Sequence, residues 1–255
     1  DSVDVIVVGA GHAGCEAALA AARMGCETIL VTFRLDQVAA MSCNPSIGGV
    51  AKGQLVREID ALGGVMGQVA DRACIHFRTL NPKKGPAVRS PRAQADRDLY
   101  HRIMLELLMR QGNNPGPGQA RLHLLEGEVT GLVVHNGAVC GIHVFDTEIR
   151  ARALILTTGT FLNGLMHFGL ENRVGGRYGD PASVQLAEDL RAHGLRLGRL
   201  KTGTPARLLK DSIDFDCSAV ISGEETLEKS GERLFDMVID VSNGAETRSE
   251  LLGQD

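Results

Sequence analysis

Tryptophan is absent from the 255 residues, and the aromatic share is only 4%. Stacking platforms for nucleic-acid bases are therefore scarce: the most basic stretch of chain offers only Phe77 and Tyr100. Long apolar runs are missing as well. None approaches the ~18 residues that would read as a membrane span, so no membrane association is expected. The apolar start Val3 to Val8 has no basic segment before it and runs straight into glycines, which marks a strand rather than a signal peptide. The six cysteines (15, 26, 43, 74, 140 and 217) form no CxxC pair and no zinc-ligand spacing, so no metal site is expected. The chain is also too large for a disulfide scaffold, and reduced thiols in a cytoplasmic setting are the simplest reading. Neither charge sign dominates. Lys and Arg number 27 against 31 Asp and Glu, a net charge of −4, which excludes a generic polyanion binder. No internal repeat or low-complexity tract is found.

What is abundant is glycine, 31 residues, in a chain that is 44% hydrophobic. That combination fits tight turns and close backbone approach better than a helical bundle. Charge is distributed unevenly. Between Asp71 and Arg102 the bases Arg72, Arg78, Lys83, Lys84, Arg89, Arg92, Arg97 and Arg102 face only Asp71, Asp96 and Asp98. From Leu208 to Asp255, 12 acids face 4 bases. A basic middle and an acidic tail point to two surfaces with different partners.

The first thirty residues read as a βαβ unit. Val3 to Val8 is a β-branched run without polar alternation, as in a buried parallel strand. His12 to Met24 is alanine-rich and helical up to Gly25, and Glu27 to Thr32 is a second strand. Between the first strand and the helix lies Gly9-Ala10-Gly11-His12-Ala13-Gly14. In such a GxGxxG turn the first glycine makes the tight turn and the second lets backbone approach a pyrophosphate. The third lets helix and strand pack closely. The phosphates then meet free N–H groups at the positive end of the helix dipole. His12 is expected to serve through its backbone N–H, against the plainer reading that it only starts the helix. The acid that usually ends the second strand and binds ribose is missing. The strand ends Leu30-Val31-Thr32-Phe33, leaving Asp36, Thr32 or backbone groups as substitutes.

Farther along, the spacing predicts a helix over 52–62, a longer one over 91–109 and a breaker-rich loop over 113–118. Strands are expected over 129–135 and 138–145, joined by an Asn136-Gly137 type I′ turn, and a buried strand over 151–157. A helix is expected over 181–193 with Asp180 as its N-cap, and a possible strand over 195–200. The glycine turn alone does not separate NAD from FAD. The hairpin followed by an apolar strand and Thr157-Thr158-Gly159-Thr160 resembles flavoproteins of the glutathione-reductase type, so Thr158 and Gly159 become candidate cofactor contacts. The expected fold is α/β: a Rossmann-like FAD-binding fold of that type, three-layered, with a β-hairpin insertion.

Met41-Ser42-Cys43-Asn44-Pro45-Ser46-Ile47-Gly48-Gly49 makes the reading specific. Together with Gly11-His12-Ala13-Gly14 it resembles the MnmG (GidA) family of tRNA-modifying flavoproteins. Lys52-Gly53, Glu58 to Gly64, Lys84 to Arg89, Arg92 to Arg97, Gly159 to Leu162, Gly175-Gly176-Arg177, Gly179-Asp180-Pro181 and Gly198 to Pro205 agree, so the resemblance spans residues 3 to about 216. It implies an enzyme that installs an aminomethyl or carboxymethylaminomethyl group at C5 of the wobble uridine of tRNA. FAD would be its cofactor, NADH and methylene-tetrahydrofolate its co-substrates, an MnmE-type GTPase its partner, and a homodimer its assembly. It places FAD contacts on Gly9 to Gly14, Val129 and Ser183. Cys43 becomes the candidate nucleophile: a thiolate adding to C6 of uracil makes C5 nucleophilic. The competing reading of Cys43 is a small thiol with no role.

Family members are more than twice this length. Residues 1–206 are expected to be the N-terminal portion of an FAD-binding domain. Residues 207–255 would be the start of an inserted domain or a divergent acidic tail. A flavin-binding module without autonomous catalysis and a generic FAD oxidoreductase stay open as alternatives. The basic stretch, Lys83 and Lys84 included, could be a tRNA phosphate footprint or a solvated face. Arg199 to Pro205 could grip anionic groups or be an ordinary exit from the sheet.

Overall fold

The computed structural model describes residues 2–203 and 209–212. In chain order the elements are β1 (Val3–Val8), α1 (His12–Arg23), β2 (Thr28–Thr32), β3 (Ser46–Gly48), α2 (Lys52–Ala61), α3 (Met66–Arg72), β4 (Cys74–Leu80), β5 (Ser90–Ala95), α4 (Arg97–Asn113), β6 (Leu122–Glu126), β7 (Val129–His135), β8 (Ala138–Val144), β9 (Thr147–Leu156), β10 (Leu165–Phe168), β11 (Glu171–Val174) and α5 (Val184–Ala192).

The main sheet has the order β6-β2-β1-β9-β8-β7. Its β6, β2, β1 and β9 neighbours are parallel, and β9, β8 and β7 form an antiparallel meander. Strand β9 belongs to both parts. Residues 147–150 pair with β8, and residues 151–156 pair with β1.

The apolar run of β1 is buried on both faces, which is why it lacks polar alternation. Val5 and Val7 join Leu30 in one core with Cys15, Ala18 and Ala22 of α1 and Ile103, Met104 and Leu108 of α4. Ile6 and Val8 join Val31 in a second core with Val129, Leu132, Ile142 and Val144 of the hairpin and Leu186 and Leu190 of α5. Helices thus cover one face and the hairpin with α5 the other, giving the expected three layers. The hairpin turn also holds: Asn136 and Gly137 have φ of 50° and 77°. Asp189 of α5 accepts the Leu132 N–H at 2.8 Å and pins that helix to β7. Beside the main sheet, β3, β5 and β4 form a small antiparallel sheet flanked by α2 and α3. Glu16 of α1 accepts the N–H groups of Val65 and Met66, tying α1 to the start of α3.

Four expectations are corrected. The helix predicted over 91–109 begins only at Arg97, because Asp96 caps it through the N–H groups of Asp98 and Leu99, and residues 90–95 are strand β5. The helix predicted from Pro181 begins at Val184, and Asp180 does not cap it because its carboxylate is engaged by Arg177. No strand forms over 195–200. The third apolar strand is longer than predicted and much less buried, with Ile155 and Leu156 more than a third exposed. Its 151–156 half pairs only with β1 among the described residues, leaving the far edge open. The expectations for residues 204–208 and 213–255, the acidic tail and Cys217 among them, lie outside the described residues.

Candidate cofactor and substrate site

The glycine turn sits where β1 ends between β2 and β9, and each glycine has its own reason. Gly9 has φ +98°, and a Cβ there would lie 2.5 Å from the Thr157 carbonyl oxygen. A Cβ on Gly14 would overlap the Gly9 carbonyl oxygen and lie 2.7 Å from Thr157 Oγ1. Gly11 differs: a Cβ there would meet nothing within 4 Å. Two glycines are required by the protein itself, and the middle one faces open space. The first turn of α1 has neither a side-chain cap nor an acidic residue. An uncapped helix start behind an open glycine is a cradle that fits a pyrophosphate.

The ring of His12 points the other way. It packs edge-on against buried Tyr100, with centroids 5.5 Å apart and planes at 83°. Burial lowers its pKa, and its buried Nδ1 has no hydrogen-bond partner among the described residues. Burial likewise pushes the neighbouring Cys15 thiol up to about 12, with the Glu16 charge adding to the effect. What His12, Ala13 and Gly14 offer a ligand is backbone.

The end of β9 closes over the turn through Thr157. Its N–H donates to Val8 O at 2.9 Å, and its hydroxyl lies 2.9 Å from Val8 O and 2.8 Å from Gly9 O. Thr158 and Gly159, the residues singled out from sequence, follow in a turn where Gly159 has φ +56°. Phe161 then accepts the Ser183 N–H at 2.8 Å, and Asn163 donates to Ser183 O at 2.9 Å. Ser183, 4% exposed, thus sits at the start of α5 against the turn that leaves β9. Val129 lies three residues past the end of β6, where Gly127 N–H donates to Thr32 O at 2.8 Å. Its side chain is in the core, leaving its backbone for any ligand contact.

An acid from another strand stands beside the end of β2. Thr32 pairs with Glu126 across the β2–β6 ladder, and Glu126 accepts the Leu35 N–H at 2.8 Å. Asp36 is exposed and taken by the Arg34 guanidinium, whose hydrogen bonds hold its carboxyl below the usual range. Glu126 escaped the sequence reading because it is 94 residues from Thr32 in the chain.

The loop carrying Cys43 is anchored to the glycine turn. Ala39, at φ 51°, donates its N–H to Ala10 O at 2.8 Å, and His101 Nδ1 is 2.6 Å from Val38 O. Met41 is buried in the core and Cys43 is half-buried. Arg177, also unnoticed as a side chain in the sequence, ties the region together. It pairs with Asp180 at 2.6 Å and donates to Gln37 Oε1 at 2.8 Å and Ser42 Oγ at 3.5 Å. It also lies over Phe161 at 5.8 Å. Both members of the Arg177–Asp180 pair are largely buried. One guanidinium thereby joins the exit of β2, the Cys43 loop and the exit of β9 at the carboxyl ends of the parallel strands. That end is where open α/β sheets bind ligands. Arg199 reaches Asn163 O at 3.3 Å in an irregular segment.

Fold and turn together define a three-layer Rossmann-like dinucleotide-binding domain with a half-buried cysteine on a loop joined to the cofactor turn. Comparison with known proteins sharpens this. The sequence profile of the family described as "Glucose inhibited division protein A" matches residues 4–236, and the chain belongs to that family. It is 60% identical over 216 residues to the tRNA uridine 5-carboxymethylaminomethyl modification enzyme MnmG of Geobacter metallireducens, covering 83% of this chain and 33% of that protein. With the enzyme of the same name from Geobacter sulfurreducens it shares 58% over 214 residues, again 83% and 33%. The structure of Aquifex aeolicus GidA superposes with a TM-score of 0.80 at 46% identity, covering 88% of this chain and 36% of that one. The chain spans about a third of the length of these relatives. No described helix is long and apolar enough to cross a membrane.

Proposed function

We propose that this chain is the FAD-binding portion of an enzyme that adds an aminomethyl or carboxymethylaminomethyl group at C5 of the tRNA wobble uridine. The observation that carries the proposal is the Ala39–Ala10 hydrogen bond, which joins the Cys43 loop to the cofactor turn. The names of the relatives supply the substrate. In this reading the N–H groups of residues 11–14 hold the FAD pyrophosphate, Glu126 stands nearest the ribose, and Val129 and Ser183 flank the cofactor with backbone and hydroxyl. FAD, when bound, supplies the redox chemistry.

Cys43 carries the covalent step. Its thiolate sulfur bonds to C6 of uracil, and the C5=C6 electron pair moves toward O4. C5 then bonds the methylene carbon of methylene-tetrahydrofolate, tetrahydrofolate leaves from that carbon as glycine or ammonia bonds it, and loss of the C5 proton expels the thiolate as C5=C6 re-forms. Methylene-tetrahydrofolate is the source of the one-carbon unit and NADH of reducing equivalents. An MnmE-type GTPase is the partner, a homodimer the assembly, and the cytoplasm the setting.

The purified chain should show a visible flavin spectrum. Supplied with the GTPase and both co-substrates, unmodified tRNA should gain the modified uridine by nucleoside mass spectrometry. A colourless chain that takes up no added FAD overturns the cofactor assignment. The 151–156 half of β9, which pairs only with β1 among the described residues, favours a second reading, in which this chain holds flavin but does not complete the reaction alone. Flavin binding without modified uridine would select it.

A further inference from the structure

The small sheet carries a shallow hollow of about 280 Å³, open to solvent, that none of the preceding roles uses, lined by Arg57, Phe77, Thr79, Arg89 and Ser90 among others. Its walls are built rather than incidental. Gln54 and Arg57 are one helical turn apart on α2 and share a face. The Gln54 side-chain N–H group donates to Ala87 O at 3.1 Å and Arg89 O at 3.2 Å. Asn81 holds the same segment from its other side through Val88 O at 3.1 Å. These bonds fix the backbone that carries Arg89, which lines the hollow together with Arg57. Phe77 and Thr79 form the floor on one face of β4, opposite Ala93 and Pro91 of β5. Ser90 donates to Gly49 O, and Gly49 N–H to Pro91 O at 2.8 Å, so the cavity is bonded to the chain six residues after Cys43.

Charge decides what the cavity takes. Arg34, Arg97, Arg150, Arg152, Arg173 and Arg177 each have a carboxylate within ion-pair distance. Arg57 and Arg89, like most of the described arginines, form no ion pair among the described residues, and neither do Lys83 and Lys84 on the exposed segment that carries Arg89. Arg57 and Arg89 present two exposed guanidinium groups to one hollow, and an oxyanion there would accept planar bidentate bonds from such groups. The volume lies just under the ~300–1,000 Å³ of pockets that enclose drug-sized ligands. It suits one phosphate with part of its sugar lying on Phe77, and not a whole dinucleotide.

We propose that this cavity is a phosphodiester subsite for the RNA substrate, gripping a backbone phosphate near the nucleotide presented to Cys43. The proposal rests on the tRNA reading above and names a site for it. The test is equilibrium binding of an unmodified tRNA transcript to the chain across a salt series. Parental protein is compared with Arg57→Gln, Arg89→Gln, the double variant and, as control, Arg152→Gln on the exposed Asp4–Arg152 pair. Each single substitution should weaken binding about tenfold near 0.05 M salt, and the double variant, having lost one phosphate contact, should flatten the log–log salt slope by about 0.7–0.9. Melting temperature and flavin content should be unchanged, and the control should bind like the parent. Parental affinity and slope in the double variant overturn the subsite and leave the tRNA reading intact. A parental chain that fails to bind tRNA at low salt overturns both. If millimolar inorganic phosphate protects the two arginines from dicarbonyl labelling but tRNA does not, the site belongs to a free phosphate ligand and the proposal fails.

Discussion

Alanine at Gly11 and alanine at Gly14 should have opposite consequences, although the residues are three apart in one motif. At Gly14 the new Cβ would overlap the Gly9 carbonyl oxygen and stand 2.9 Å from the Gly9 carbonyl carbon. Carbon–carbon contact is comfortable only from about 3.5 Å. Helix α1 must therefore retreat from the turn by more than about 0.6 Å, and a gap of that order forfeits a quarter to a half of each dispersion contact it opens. The affected face includes Cys15, Ala18 and Ala22, each 0% exposed. Overpacking of this kind costs about 3 kcal/mol, which lowers Tm by about 6–12 °C in a domain of this size. At Gly11 the backbone is extended, φ −73° and ψ −174°, and a Cβ has open space. Stability should fall by no more than about 1 kcal/mol, the ordinary penalty of alanine at an N-cap. Flavin affinity, however, should fall at least tenfold, or about 1.4 kcal/mol, because the methyl occupies the approach of the pyrophosphate. Thermal melts by circular dichroism read the first quantity and flavin titration the second. A Gly14→Ala chain as stable as the parent would refute the packing argument. A Gly11→Ala chain with parental flavin affinity would refute the cradle.

Cys43→Ser should retain flavin and lose uridine modification in the enzyme assembled with its GTPase; undiminished modified nucleoside by mass spectrometry removes Cys43 from the chemistry. His12, whose pKa is lowered by burial, binds its proton more readily in the unfolded chain. Its stability contribution is therefore present above the unfolded pKa near 6.5 and is lost as pH falls below it, by at most about 1.4 kcal/mol per pH unit. The fall in Tm between pH 7 and 5 should be shallower in His12→Asn, and identical slopes would contradict the assignment. Arg177→Gln leaves Asp180 largely buried without its main partner and should cost about 2–3 kcal/mol, between the values for exposed and buried pairs. It should also raise the flavin dissociation constant, since it frees the Cys43 loop and the exits of β2 and β9 at once. An unchanged melt and titration would show that these segments hold without it.

The βαβ unit, the glycine turn and the hairpin were legible in the sequence because each rests on local physics. A β-branched run, an alanine-rich helix between glycines and an Asn-Gly turn constrain their own backbones whatever surrounds them. Residues 90–95 misled because a proline followed by helix-compatible residues reads locally as a helix start. Only the pairing of β5 with both β3 and β4 makes it a strand. Asp180 was a plausible cap by position, and only the distant Arg177–Gln37–Ser42 arrangement shows where its charge is spent. The sequence by itself determined that a strand–glycine turn–helix unit opens the chain and where Cys43 stands relative to it. Tertiary structure decided which glycine faces open space, which acid stands beside Thr32 and which arginines lie within ion-pair distance of a carboxylate. Those properties depend on segments tens of residues apart meeting at one end of a sheet, and no local pattern encodes such meetings.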